Sequence, residues 1–172
     1  MNPKIIRNES IILAGLSFFG NPFETKDPWS EENEIGLLWQ RLMAFMGQNG
    51  AEYKRLITRE GVFYEVHIYH PDTSKTGEFE VFVGAEINQA GELPVEFVLK
   101  ILPPTSYAVF CLEGEQINSD WPHMIYQEWM PKAGYISAFP YSFQYYDHRF
   151  KGMDNLAESV IDVYVPINKS PE

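Results

Sequence analysis

The stretch from Phe143 to Phe150, Phe-Gln-Tyr-Tyr-Asp-His-Arg-Phe, sets hydrogen-bonding side chains among rings. It reads as a β-strand with Gln144, Tyr146 and His148 on one face and Phe143, Tyr145 and Asp147 on the other. A strand that only filled a core would use Val, Ile and Leu on its inner face. An amide and a phenol side by side could orient a ligand. Taken alone, the strand also fits a plainer role, half-buried with its tyrosines at a sheet rim.

Three carboxylates are oddly placed. Glu128 lies on an apolar helical stripe between Ile125 and Trp129, Glu86 shares a strand face with Phe82, and Glu65 shares one with Phe63 and His67. A carboxylate facing rings is paired with a donor, raised in pKa, or kept for a cationic ligand, and a solvated rim position is the bland alternative. Metal chemistry finds little support: His67 and His70 fall on opposite strand faces, and His123 and His148 stand alone. No phosphate-binding loop, dinucleotide fingerprint or nucleophile elbow occurs. Cys111, the single cysteine, sits in Ala-Val-Phe-Cys-Leu, which reads as a buried strand without a histidine partner. No cofactor and no metal are expected.

The elements that must position these groups follow from periodicity. Ile5 to Phe19 reads as a strand with a weak point at Gly15, and Asn21 to Trp29 as a loop with two prolines. A helix follows, capped by Ser30, with Glu31, Glu32 and Glu34 against its positive end. Its stripe is Ile35, Leu38, Trp39, Leu42, Phe45 and Met46, and Gly47 and Gly50 stop it. Trp39 on that stripe reads first as core.

Val62 to Tyr69 alternates, with Val62, Tyr64, Val66 and Ile68 opposite Phe63, Glu65, His67 and Tyr69. Glu78 to Ile87 alternates too, and the two runs form an antiparallel pair across a polar connection. Gly84 inside a strand signals a bulge or a close backbone approach. Phe97 to Leu112 reads as a strand interrupted by Pro103-Pro104, and Gly114 to Ser119 as a turn. A second helix carries Trp121, Met124, Ile125, Glu128 and Trp129 on one stripe and is ended by Pro131. The strand at Phe143 and a last one at Val160 to Ile167 complete the chain.

The order is therefore strand, helix, strand, strand, twice. Leu13-Ala-Gly-Leu matches Tyr107-Ala-Val-Phe, Ile35-x-x-Leu38-Trp39 matches Ile125-x-x-Glu128-Trp129, and Val81-Phe-Val-Gly matches Val163-Tyr-Val-Pro. The expected fold is α+β: two β-α-β-β modules, about 1–90 and about 95–168 of one domain, related by a pseudo-twofold axis. Antiparallel sheets carry two main helices, and the modules meet at a groove. Ligand sites prefer such seams.

Bulk composition narrows the partners. The 172 residues include 45% hydrophobic and 15% aromatic residues, with a formal net charge of −11. Thirteen basic against 24 acidic residues do not make a duplex-binding surface, so direct nucleic-acid binding is not expected. An acidic field suits cationic ligands or a basic protein partner, and also serves solubility. No signal-peptide core or membrane-spanning run occurs, which predicts a cytoplasmic protein without membrane attachment.

The ordered motifs resemble the GyrI-like effector-binding domain, found in AraC-type and MerR-type multidrug regulators and as stand-alone proteins. They are Ile35-x-x-Leu-Trp-x-x-Leu, Tyr64 to Tyr69, Gly77-Glu-Phe-x-Val-x-Val-Gly84-Ala-Glu86-Ile, Leu102-Pro-Pro-x-x-Tyr107-Ala-Val-Phe, and Ile125-x-x-Glu-Trp129-Met-Pro131-x-x-Gly-Tyr135. Ser142-Phe-Gln144-Tyr-Tyr146-Asp147 and Val160-x-Asp-Val-Tyr-Val-Pro166-Ile close the series. The resemblance implies a pocket between two modules for hydrophobic, often cationic, small molecules. It also implies a ligand-facing Glu in a Glu-x-Tyr pattern, where this chain has Gln144-x-Tyr146.

An amide supplies no charge, so a cation would then need Glu65, Glu86 or Glu128, or ring faces. The candidate lining is Trp39, Tyr64, Tyr107, Trp121, Trp129, Gln144, Tyr146 and Tyr164, with Glu86 and Glu128. Two other readings stay open. A hydrolase of hydrophobic electrophiles would use Glu65 or Glu86 as base and Tyr64 or Tyr146 as acid. A protein-interaction role, resembling stand-alone gyrase inhibitors, would use the negative charge.

Overall fold

A computed structural model describes residues 2–24, 31–48, 50–89 and 91–171. The described residues form one nine-stranded antiparallel sheet with helices, the α+β class expected from the pattern. The strands are β1 (Lys4–Asn8), β2 (Ile11–Gly20), β3 (Phe63–Ile68), β4 (Phe79–Glu86), β5 (Val98–Leu102), β6 (Thr105–Glu113), β7 (Tyr135–Ser137), β8 (Tyr141–Tyr146) and β9 (Val160–Lys169). Their order across the sheet is β1-β6-β9-β8-β3-β4-β2-β5, with β7 on β9. That order is a palindrome of roles: β5, β2, β4 and β3 answer β1, β6, β9 and β8. The pseudo-twofold axis passes between β3 and β8, where Glu65 pairs with Gln144.

The pairing corrects part of the sequence match. Tyr64 and Phe143 are equivalent about that axis, and they pair with Gly84 and Tyr164 respectively. Val81, Val83 and Ala85 therefore answer Ile161, Val163 and Val165, two residues away from the match read in the sequence. A shift of two keeps every side chain on its face, so alternation alone could not detect it.

Two-residue links show that the sheet is curled. Asn8 and Ile11 are separated only by Glu9 and Ser10, which reach about 11 Å when extended. Yet β1 and β2 are six strand spacings apart, about 29 Å if the sheet were flat. Pro103-Pro104 makes the equivalent link from β5 to β6, so it joins strands from opposite halves rather than interrupting one strand. The two sheet edges must approach each other. Side chains from both sides share one core on the concave, helix-free face: Ile6, Tyr107 and Val109 of β1 and β6 with Ile11, Leu13 and Leu102 of β2 and β5.

The helices cover the other face. Helix α1 (Glu34–Gln48) starts at Asn33, whose Oδ1 accepts the Gly36 N–H at 2.9 Å. Ser30, the expected cap, and most of the expected loop lie outside the described residues. Ile35, Leu38 and Leu42 are buried as the stripe predicts, and the helix runs through Gly47 before ending at Gln48. A short helix α2 (Ala51–Leu56) follows, which no periodicity announced. Its one buried residue, Tyr53, donates to the Ala14 carbonyl at 2.6 Å and accepts the Ala85 N–H at 2.9 Å. Another turn of helix, α3 (Thr73–Thr76), occupies the β3–β4 connection.

In the second half, α4 (Trp121–His123) passes into a π-helical segment (Met124–Trp129) and then α5 (Met130–Ala133). Pro131 does not end the helix. The Met130 N–H reaches back to the Ile125 carbonyl, five residues earlier, and Gly134 in the left-handed conformation makes the stop. The wide turn moves Glu128 off the apolar side.

Gly84 marks a close approach, not a bulge, because the β2–β4 register runs unbroken from Leu13↔Glu86 to Gly20↔Phe79. A methyl group at Gly84 would stand 2.2 Å from the Ala14 carbonyl oxygen. Cys111 also departs from expectation. It is exposed, because Phe110 and Leu112 take the helix side of β6 and leave it on the other face near Glu113.

Candidate functional site

The two helix-side cores meet at Trp39 and Phe63, which pack against both. Above that junction the helices part and leave a cleft of about 1320 Å³. Its floor is the β3–β8 seam, and its walls come from α1 on one side and from Trp121, Asp120 and Phe150 on the other.

Glu65 lies at the centre of the floor and is only 5% exposed. Its Oε2 accepts the Trp39 indole N–H at 2.6 Å. Its Oε1 accepts Gln144 Nε2 at 3.1 Å and faces His67 Nε2 at 2.8 Å, and an ionised carboxylate, which only accepts, takes that nitrogen as an N–H donor. The Tyr146 hydroxyl donates to Gln144 Oε1 at 2.8 Å, which fixes the amide at both ends. Burial first, and negative Glu65 second, hold the Tyr146 phenol well above its usual range, so it remains a neutral donor. The Trp39 ring stands edge-on to Tyr146 at 5.2 Å and to Phe63 at 6.1 Å. The floor is thus one carboxylate held by N–H donors inside a frame of rings.

Of the sequence candidates, Trp39, Trp121, Gln144 and Tyr146 line this cleft together with Glu65. Tyr64, Glu86, Tyr107 and Tyr164 lie on the opposite, concave face. Tyr107 is fully buried there and shares a 2.6 Å hydrogen bond with Tyr141. Tyr64 donates to Glu86 at 3.1 Å, beside a smaller hollow of about 490 Å³ that Tyr164 also lines. Burial, then Asp162, push the Tyr164 phenol up to about 12. Arg59 joins Glu86 at 3.3 Å, and Arg149 bridges Asp147 and Asp162 at 2.9 and 2.6 Å.

Two candidates stand away from both hollows. Glu128 is 52% exposed beside Lys132, and Trp129 stacks on Tyr135 and meets Phe110 edge-on. Asp147 and His148 fall past the end of β8. In the sequence His67 is weighed with His70 as a metal pair and not with Glu65 as a donor. The signal for that donor was present: His67 stands two residues from Glu65, hence on the same strand face. Among the described residues no group of three or more His, Cys, Asp and Glu could hold a metal ion, and no helix is long and apolar enough to cross a membrane.

Comparison with known proteins agrees with this architecture. Residues 4–167 match the family described as Cass2, integron-associated effector binding protein. The transcriptional regulator BrlR of Pseudomonas aeruginosa is 26% identical over 175 residues, covering 97% of this chain and 56% of BrlR. The chain therefore spans about half the length of that relative. Among solved structures, SAV2435 bound to tetraphenylphosphonium has a TM-score of 0.69 at 14% identity, covering 98% of this chain and 94% of that one. An integron cassette protein from the mobile metagenome of Vibrio cholerae has a TM-score of 0.63 at 16% identity, covering 98% and 97%. The family match runs over nearly the whole chain and the fold is shared, so this chain belongs to the Cass2 effector-binding family, among the GyrI-like proteins its motifs resemble.

Proposed function

We propose that the cleft over the β3–β8 seam is an effector site for hydrophobic cations, with Glu65 reading the charge. The observation that carries this is the buried carboxylate on the cleft floor, framed by Trp39, Phe63 and Tyr146. Two of its three donors, an indole and an amide, are neutral, and a buried charge held by neutral groups still attracts a cation. Ring faces add about 0.5–2 kcal/mol each where a cation lies over them. The tetraphenylphosphonium bound to SAV2435 is a hydrophobic cation, and BrlR is a transcriptional regulator, which supports reading the site as an effector pocket.

The missing acid at Gln144 fits this reading. Gln144 and Glu65 are partners across the pseudo-twofold axis. The charge expected on β8 stands directly opposite on β3, within hydrogen-bond reach of the amide.

The geometry favours recognition over hydrolysis. Three N–H groups already reach Glu65 and leave it about one acceptor site, and the expected acid is not aimed at the cleft. Tyr146 donates to Gln144 rather than into the cleft.

Titration with rhodamine 6G, following Trp fluorescence, tests the site. A charge about 4 Å away at an effective dielectric near 20 is worth about 4 kcal/mol before desolvation, so Glu65→Gln is expected to weaken binding roughly a hundredfold. Unchanged dye affinity in that variant, or no Trp response to a panel of cationic dyes, would sink the reading.

A further inference from the structure

We propose that the cleft selects onium ions without N–H groups, such as quaternary ammonium and phosphonium, over protonated amines of the same shape. This rests on the reading that the cleft takes cations, and it narrows the class. A carboxylate offers about four acceptor sites. Among the described residues, Trp39, Gln144 and His67 reach Glu65 with one N–H each, leaving about one site open. The neighbouring acceptor, Gln144 Oε1, takes the Tyr146 hydroxyl. Beside these stand the rings of Trp39, Phe63 and Phe79, and the other inner polar groups of the cleft are engaged: Asn33 accepts from Gly36, Asp147 from Arg149, and Tyr69 meets Ser142. Glu31 and Asp120 stand out at the exposed rim.

A primary ammonium brings three N–H donors and finds about one open acceptor at the floor. Its other donors would face rings, away from water, and an unmet buried donor is strongly unfavourable. An onium ion brings none. It loses nothing to the crowded carboxylate, is attracted to its charge across van der Waals distance, and presents methyl or aryl surface to the rings. The same three donors that hold Glu65 in place thus decide which cations it accepts.

Three probes of one shape test this by fluorescence titration near pH 7: (1-pyrenylmethyl)trimethylammonium, 1-pyrenylmethylammonium and neutral 1-pyrenylmethanol. The trimethylammonium probe is expected to bind about tenfold more tightly than the ammonium probe, the size of one unmet buried donor. Stronger hydration of ammonium could give that ratio in any apolar pocket, so two variants decide the cause. Trp39→Phe keeps a ring but frees Oε2, and Gln144→Leu frees one acceptor position on Oε1 while His67 keeps the other. In either one, if folded, the ratio should narrow by about threefold or more as ammonium regains an acceptor. Equal affinity of the two cations for the unaltered protein, or a ratio unmoved in both variants, overturns the inference. If both cations outbind the alcohol but not each other, the cation reading stands and only this step falls. If the alcohol binds as tightly as both, the cation reading falls as well.

Discussion

The two modules share a plan but divide the work at the seam. Module one brings a regular helix whose Trp39 points its N–H into the cleft, and a strand whose Glu65 supplies the charge. Module two brings a helix widened by a π-helical segment, which leaves Trp129 on Tyr135 and Phe110, and a strand with the neutral Gln144. The concave face differs as well. Gly15 and Gly84 face each other in module one, where their equivalents in module two are Val109 and Tyr164. The two halves present similar floors, with the carboxylate on one strand and the amide that holds it on the other.

The glycine pair offers the largest test of that contrast. Gly84→Val would drive a side chain into the Ala14 carbonyl and the Phe82 ring, and is expected to destabilise by about 3 kcal/mol or more in denaturant unfolding. Tyr164→Phe at the equivalent site keeps the 4.5 Å stack on Phe143 and should change stability by less than about 1 kcal/mol. Similar losses in both would mean that the concave faces are not specialised.

The charge is the next contrast. If the axis relates Glu65 to Gln144 as the pairing states, exchanging them should keep much of the cation affinity. The double variant Glu65→Gln/Gln144→Glu is expected to bind rhodamine 6G within about tenfold of the original, against the hundredfold loss for Glu65→Gln alone. A double variant as weak as the single one would show that Trp39 and His67 make β3 the only workable place.

The smallest effect separates the modules by pH. Burial works against ionisation of Asp147, yet the hydrogen bonds and charge of Arg149 hold its carboxyl below the usual range. A carboxylate with a depressed folded value stabilises above its unfolded value, about pH 4, and loses that contribution as pH falls through the folded value. Asp147→Asn should therefore be destabilised by about 1 kcal/mol at pH 7, with the difference from the original shrinking as pH falls below about 4 in acid-unfolding curves. A difference independent of pH would assign the effect to packing.

Much of this was legible in the sequence, for identifiable reasons. The alternation of Val62 to Tyr69 gave both faces of β3 correctly, and so placed Glu65 beside Phe63 and His67. The stripe on α1 gave its buried side. What escaped was set by long-range geometry. Nothing local distinguishes the ring-bearing face of a strand that meets a cleft from the one that meets a core, so Tyr107 and Tyr164 were grouped with Tyr146. Glu128 was misplaced because a π-helical segment is a change of hydrogen bonding that no stripe predicts. Pro103-Pro104 resembled a break in one strand because the curl of a sheet is invisible in periodicity.

That curl bears on how the molecule can be assembled. Module one takes its outer strand, β5, from the middle of the chain, after its own β4, and module two takes β1 from the beginning. The Lys4↔Val109 pairing closes a loop of more than a hundred residues. Contacts so distant in sequence slow folding and tie both halves into one cooperative step. A chain cut between β4 and β5 would strand each half's outer strand on the other fragment. The fragments would have to find each other before either sheet was complete, and complementation by the two pieces together, rather than activity of either alone, is the behaviour this connectivity prescribes.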